Sequence, residues 1–496
     1  MEYQDIQSPL PSRESTPAPQ PVVNEPVVSS KPSQTGFSSS TIPIAKDLPK
    51  FIIPLAIIIV VIVLGFVIYN FLLPVIQGKS ATIVTINYWG LWEDGSIIDG
   101  VIADFEAKNP NIKINYKTQQ KNDYRSRLSG RLAKDSTQEE VPDIFRIHSS
   151  WLPMFSGSLA SVPDATSKTI GLDTDFYGVF KNDLKIGGKY QAIPLMYDGL
   201  SLFYNQDLLE KAQATLPKSW WDLQTVAAKL TVRDDQGRLK VGGVAMGLTD
   251  NVDHWNDILG IILKQTNANL LKNDEENNTI ISDAISYYTN FKVKDNVWDE
   301  SMPPSTQAFA EGKLAFYFAP SWRVFNIEEM NPNLKFAITT VPQMPTVSGQ
   351  SGNSATSSSN LTNIHWATYW AEAVNINSKH QKEAFKFLEF LSSTASMEKM
   401  YTAASQTRSF GEIYPRISLA SKLSTNLKIK PFISVANEAE SGYLSSRTWD
   451  AGLNTELSKY FSDAINSISL KGTDPKLIIT DLRSGINQII TKYKLK

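Results

Sequence analysis

The chain has 496 residues, enough for two or three domains each with its own core, and a formal net charge of −2 that leaves no basic footprint for nucleic acid. It contains no cysteine, which excludes structural disulfides, thiolate metal sites, a cysteine nucleophile and a lipid-modified cysteine anchor. Aromatic residues make up 10%, including 11 tryptophans that cluster unevenly along the chain.

Residues 1–48 are rich in Pro and Ser and poor in large apolar residues, as in "PSRESTPAPQPVVNEPVVSS". Such a segment buries too little apolar surface to offset its ordering entropy, and it reads as a disordered tail. Residues 51–76, "FIIPLAIIIVVIVLGFVIYNFLLPVI", carry no charge and exceed the roughly 20 apolar residues that cross a bilayer, so they read as a retained transmembrane helix. A cleaved signal peptide has a shorter apolar stretch nearer the start. Lys46 and Lys50 before the span, against Lys79 after it, favour a cytoplasmic N-terminus, a single-pass membrane protein and an extracytoplasmic remainder.

From residue 82 short strands alternate with amphipathic helices, the pattern of layered α/β structure. "TIVTI" is a β-branched strand, and "SIIDGVIADFEAK" a helix with Ile98, Val101, Ile102 and Phe105 on one face and Ser96 and Asp99 at capping-box spacing. "NIKINYKT" is a strand, "DYRSRLSGRLAKD" a helix, and "VPDIFRIH" a further strand. "KSWWDLQTVAAKL" is a helix with Ser219 and Asp222 at capping-box spacing; "KLAFYFAP" is a buried strand, followed by a helix that Ser321 opens. "AEAVNI" is a strand, "SKHQKEAFKFLEFLSS" an amphipathic helix, and the last hundred residues are mainly helical. The Ser/Gly/Asn-rich stretch between Thr346 and Asn363 reads as a solvated loop.

No H-E-x-x-H, G-x-S-x-G, phosphate loop or G-x-G-x-x-G occurs, and His148, His254, His365 and His380 are dispersed. An enzyme is therefore not favoured, and no cofactor or metal is expected.

Five segments in order resemble the family 1 extracellular solute-binding proteins, which include maltose-binding protein and serve ABC importers. They are "DFEAKNPNIKI", "VPDIFRIHSSWLPMFSGSLASVP", "GGKYQAIPLMYDGLSLFYNQDLLEKA", "LPKSWWDL" and "AFAEGKLAFYFAPSW". The chain departs from that family in its transmembrane helix and in "NIHWATYW", where many members have a Gly-Gly pair. The resemblance implies a two-lobed, periplasmic-binding-protein-like (venus-flytrap) α/β fold. Lobe one is expected to take residues 82–196 with 338–395, and lobe two 198–336 with 396–496. Hinges are expected near Ile193–Ser201 and Ala337–Gln343.

The resemblance further implies a ligand cleft between the lobes, beyond the carboxyl ends of strands. Sugars present an apolar face and a hydroxyl rim, so a site for them wants aromatic platforms with a few acids, amides or Arg. The turn "NYWGLWEDG" offers both, making Trp89, Trp92, Glu93 and Asp94 candidates. Trp151, Tyr197, Asp198, Trp255, Trp322, Trp366 and Arg408 complete the expected ligand-binding set. Trp220, Trp221 and Trp449 are expected to pack structurally. The expected function is that of a monomeric, membrane-anchored substrate-binding protein that delivers a carbohydrate to an ABC permease by hinge closure. A ligand sensor or adaptor, or a binder of a non-sugar solute, is the alternative.

Overall fold

The computed structural model describes residues 61–64, 66, 83–133, 140–345 and 361–495. The expected tail 1–48, most of the expected span 51–76 and the loop segment 346–360 lie outside the described residues. The chain divides into two units, residues 1–79 and 80–496. In the first, Val61–Leu64 and Phe66 are helical and exposed. Among the described residues no helix is long and apolar enough to cross a membrane.

The second unit holds two five-stranded sheets. In the first, β1 (Val84–Leu91) lies between β2 (Ile112–Gln119) and β3 (Ile144–His148), parallel to both. A late strand, Trp370–Val374, runs antiparallel to β3 and to Ala192–Pro194. In the second, Ser201–Asn205 pairs antiparallel with Leu314–Ala319 and Phe336–Thr339. Leu314–Ala319 also pairs parallel with Leu239–Val244, which Val232–Arg233 edges. The chain thus leaves the first sheet after Pro194, builds the second, and returns for Trp370–Val374.

Helix Gly95–Lys108 covers the first sheet with Ile98, Val101, Ile102 and Phe105, the face its periodicity marks. Phe105 meets Phe387 edge-on at 5.0 Å, and Phe387 also meets Tyr88 of β1. Its cap differs from the expected Ser96–Asp99 pair. Asp94, in an extended conformation, accepts from Ser96 N at 2.8 Å, so Asp94 is the N-cap and the helix begins two residues before a Ser96 cap would start it. The capping box at Ser219 forms in both directions, Asp222 N to Ser219 Oγ at 3.1 Å and Ser219 N to Asp222 Oδ2 at 2.9 Å. Ser321 caps nothing. Trp322 stands at the cap of helix Arg323–Met330, and the Ser321 hydroxyl is drawn to Asp198 instead.

The C-terminal helices Leu453–Lys471 and Pro475–Tyr493 pack together and against helix Glu275–Val293. Helix Thr394–Ala404, however, lies on helix Gly95–Lys108, with Lys399 Nζ bonding Gly100 O at 2.9 Å and Asp104 Oδ2 at 2.6 Å. Its packing places 396–404 on the first sheet's side, whereas the sequence division assigns them to the second lobe.

Candidate functional site

The strand order makes the carboxyl ends of β1, β3 and Leu314–Ala319 converge on the crossing segment 195–200. Leu91 ends β1, and Trp92 follows with φ 46°, a left-handed conformation that costs an L-residue about 1–2 kcal/mol. That kink turns the indole away from the core, leaving it 41% exposed. It meets Trp370 edge-on at 5.1 Å and Trp449 at 6.3 Å, with the Arg146 guanidinium 5.5 Å from its centre.

Trp449 comes from a loop in which Arg447, Trp449 and Ala451 all have positive φ. Buried Asp450 holds this strained loop, accepting from Asn454 N at 2.6 Å, Thr455 Oγ1 at 2.7 Å and Thr455 N at 3.1 Å. Trp449 stacks near-parallel on Trp370 at 6.4 Å, and Lys121 Nζ lies 5.1 Å from its ring. Trp92, Trp370 and Trp449 thereby form a partly solvent-facing aromatic cluster.

Beneath it lies a buried charge cluster. Arg146, midway along fully buried β3, donates from Nε to Glu372 Oε1 at 2.7 Å and from Nη1 to Glu93. Glu372 Oε2 and Tyr88 Oη lie beside one another, neither with a regular hydrogen bond to a described residue. Burial pushes the Glu93 carboxyl up to about 7 against the pull of Arg146, with Glu412 and Glu372 adding to the rise. Burial likewise raises Glu372, again opposed by Arg146. Two buried carboxyls thus share one cation.

On the other side of the crossing, Asp198 accepts from Gly199 N at 2.8 Å and from Ser321 N and Oγ, each at 3.0 Å. Burial pushes its carboxyl up to about 7 despite these donors, and Glu412 contributes. Trp322 is half-buried, edge-on to His254 at 5.6 Å and under the Arg323 guanidinium at 4.4 Å. Burial depresses the His254 pKa; the neutral ring accepts from Arg323 Nε at 2.9 Å and bonds Ser446 Oγ through Nδ1 at 2.6 Å. Among the described residues no group of three His, Asp or Glu side chains is placed to hold a metal ion.

A narrow pocket of about 40 Å³ extends from this cluster between helices Gly95–Lys108 and Thr394–Ala404. Glu93, Arg146, Arg408 and Glu412 line its polar end. Arg408 Nη2 bonds Glu412 at 2.7 Å while its Nε has no partner among the described residues.

The sequence candidates therefore separate. Glu93 and Arg408 share the pocket, Trp92 joins the aromatic cluster, Asp198 lies in the crossing segment bonded to Ser321, and Trp322 follows strand Leu314–Ala319. Asp94 is an exposed helix cap. Trp255 is partly buried at the start of helix Trp255–Gln265. Trp89, Trp151, Tyr197 and Trp366 are buried in the core and present no free ring face. Trp151 is sandwiched by Phe155 at 5.8 Å and Trp370 at 5.2 Å. Tyr197 lies against Tyr177 at 5.2 Å. Trp366 donates from Nε1 to Asp257 at 2.8 Å and is walled by Gly260 and Gly442, where a Cβ would approach its ring to 2.6 and 2.9 Å. Trp220, expected to pack, is fully buried and donates to Gln265 at 2.7 Å, but its neighbour Trp221 is 51% exposed. Arg146, Glu372, Trp370 and Glu412 lie outside the expected set, and Trp449, expected to pack structurally, joins the aromatic cluster. The legible signal for the first two is a lone charge inside an otherwise apolar strand.

Two α/β sheets joined by crossing segments, with polar and aromatic groups gathered at the crossing, define the two-lobed fold of solute-binding proteins. The model of the bacterial extracellular solute-binding proteins matches residues 89–398, and the chain belongs to that family. A binding protein of Brucella abortus is 22% identical over 411 residues, 80% of this chain and 90% of that one. The multiple sugar-binding protein of Streptococcus mutans is 21% identical over 335 residues, 64% and 73% of the two chains. The crystal structure of the cyclic alpha-maltosyl-1,6-maltose binding protein from Arthrobacter globiformis shares the fold with a TM-score of 0.62 at 16% identity, covering 83% of this chain and all of that one.

Proposed function

We propose that the chain captures a carbohydrate between its two lobes and, anchored by the apolar segment 51–76, hands it to an ABC-type permease. The observation that carries this reading is the cluster of Trp92, Trp370 and Trp449 set against the Glu93–Arg146–Glu372 group. Flat rings match the apolar face of a sugar, and adjacent charged groups match its hydroxyl rim. Trp322, Asp198 and Ser321 supply the matching surface from the second lobe. The sugar-binding relatives named above support the same ligand class.

The lobes divide at the crossings near Ile193–Ser201 and Ala337–Gln343, with helix 394–404 moving with lobe one. A ligand that touches both lobes favours the closed arrangement by its differential affinity for it. A micromolar affinity corresponds to about −8 kcal/mol, within reach of two or three ring contacts and several hydrogen bonds. A thermal-shift screen of the protein against sugars, amino acids, peptides and metal ions tests the reading, because a ligand of the native state raises its melting temperature. Stabilisation by sugars supports it. Stabilisation by another class alone overturns it.

A further inference from the structure

The pocket beside Glu93 is segregated. Its walls are apolar: Ile97 and Ile98 from one helix, Met397 and Met400 from the other, and Leu195 and Met196 from the crossing. The tyrosines Tyr88, Tyr116, Tyr401 and Tyr414 line it as well. At the Glu93–Arg408 end carboxyl oxygens can accept, and Arg408 Nε has no partner among the described residues. A bare hydroxyl rim fits poorly along the methionine and isoleucine walls, where a hydroxyl would lose water with only the tyrosine hydroxyls as partners. A free ammonium group fits poorly too, because Arg146 and Arg408 already answer the carboxylates at that end. An acylamino group has what the pocket asks for: an N–H for a carboxylate, a carbonyl for the arginine, and an apolar tail for adaptable methionine side chains.

We propose that the solute is an N-acylated sugar whose acylamino group enters this pocket. The N–H points to Glu93 or Glu412, the carbonyl to Arg408, and the methyl lies among Met196, Met397 and Met400. This rests on the carbohydrate reading above.

The test is calorimetric titration of the full chain with matched pairs. N-acetylglucosamine, N-acetylgalactosamine and N,N′-diacetylchitobiose are set against glucose, galactose and cellobiose, with glucosamine as the free-amine control. At least one acetylated member should bind about tenfold or more tighter than its hydroxyl counterpart, and glucosamine should not share the gain. Met400→Trp, which fills the pocket, and Met397→Asp, which makes its apolar end polar, should each shrink that preference to under about threefold, with thermal melts confirming that each variant folds. Equal affinities, or tighter binding of the hydroxyl or amine form, overturn the acyl assignment while the carbohydrate reading stands. A preference that survives both substitutions overturns its placement here. If no sugar of the panel binds, the acyl assignment falls, and the carbohydrate reading is decided by the wider thermal-shift screen.

Discussion

Replacing Arg146 with Met tests the buried charge cluster at its centre. The side chain is only 4% exposed and is the cation for both Glu93 and Glu372. Methionine keeps much of the stem volume but leaves two carboxyls buried without a counter-charge, a change that costs about 3–5 kcal/mol. The sign of the pH dependence follows from the direction of the shifts. In the folded protein Glu93 keeps its proton up to about pH 7, while the unfolded chain releases it near the ordinary value of 4.5. Between those limits the folded state binds more protons, so stability falls as pH rises, by up to about 1.4 kcal/mol per unit and a few kcal/mol in all. Above pH 7 this contribution levels off in the native protein. Without Arg146 the pull that lowers both carboxyls is gone, so their pKa values rise further and the loss continues above pH 7. Urea or thermal denaturation from pH 5 to pH 9 should show Arg146→Met diverging from the parent as pH rises. Adding Glu93→Gln and Glu372→Gln should recover much of the loss. A variant whose stability runs parallel to the parent between pH 7 and pH 9 would refute the shared-cation account.

Trp92→Ala should weaken binding of the best ligand about tenfold or more, read by calorimetry, since it removes an open ring face. Trp366→Phe should leave affinity within about threefold, but lower stability by about 2–3 kcal/mol in denaturant melts. The cause is the lost bond to Asp257 and the space left between Gly260 and Gly442. The reverse pattern for these two tryptophans would overturn the separation of site from core. Full-length protein should stay with membranes after high-salt and carbonate washing; release of a soluble form starting near Ala81 would show a cleaved leader instead.

Much of the architecture was legible because it is written locally. The β-branched run before Asn87, the four-residue spacing in "IIDGVIADF" and the reciprocal Ser219–Asp222 pair each depend on neighbours within a few residues, and the elements formed where those patterns lie. Helix starts were less secure where two capping residues compete, as Asp94 displaced Ser96. The candidate site was most legible where a residue sits on a turn after a strand. Trp92, Glu93 and Asp198 follow strand ends, and the chain geometry itself brings them to the crossing.

Length, composition and periodicity determined by themselves an apolar segment of spanning length ahead of an alternating α/β body; the two lobes came from the resemblance that five segments in order carry. Which aromatic rings are free was decided by tertiary structure alone. Trp89 and Trp92 stand three residues apart with similar surroundings in sequence, yet one is buried and the other turns outward on a positive φ. Trp366 is enclosed by glycines more than 70 positions away on either side, and Trp449 reaches the cluster only because Asp450 staples a strained loop near the far end of the chain. Burial is set by what the fold brings alongside a residue, and a side chain's immediate neighbours in sequence carry no record of partners that arrive from so far along the chain.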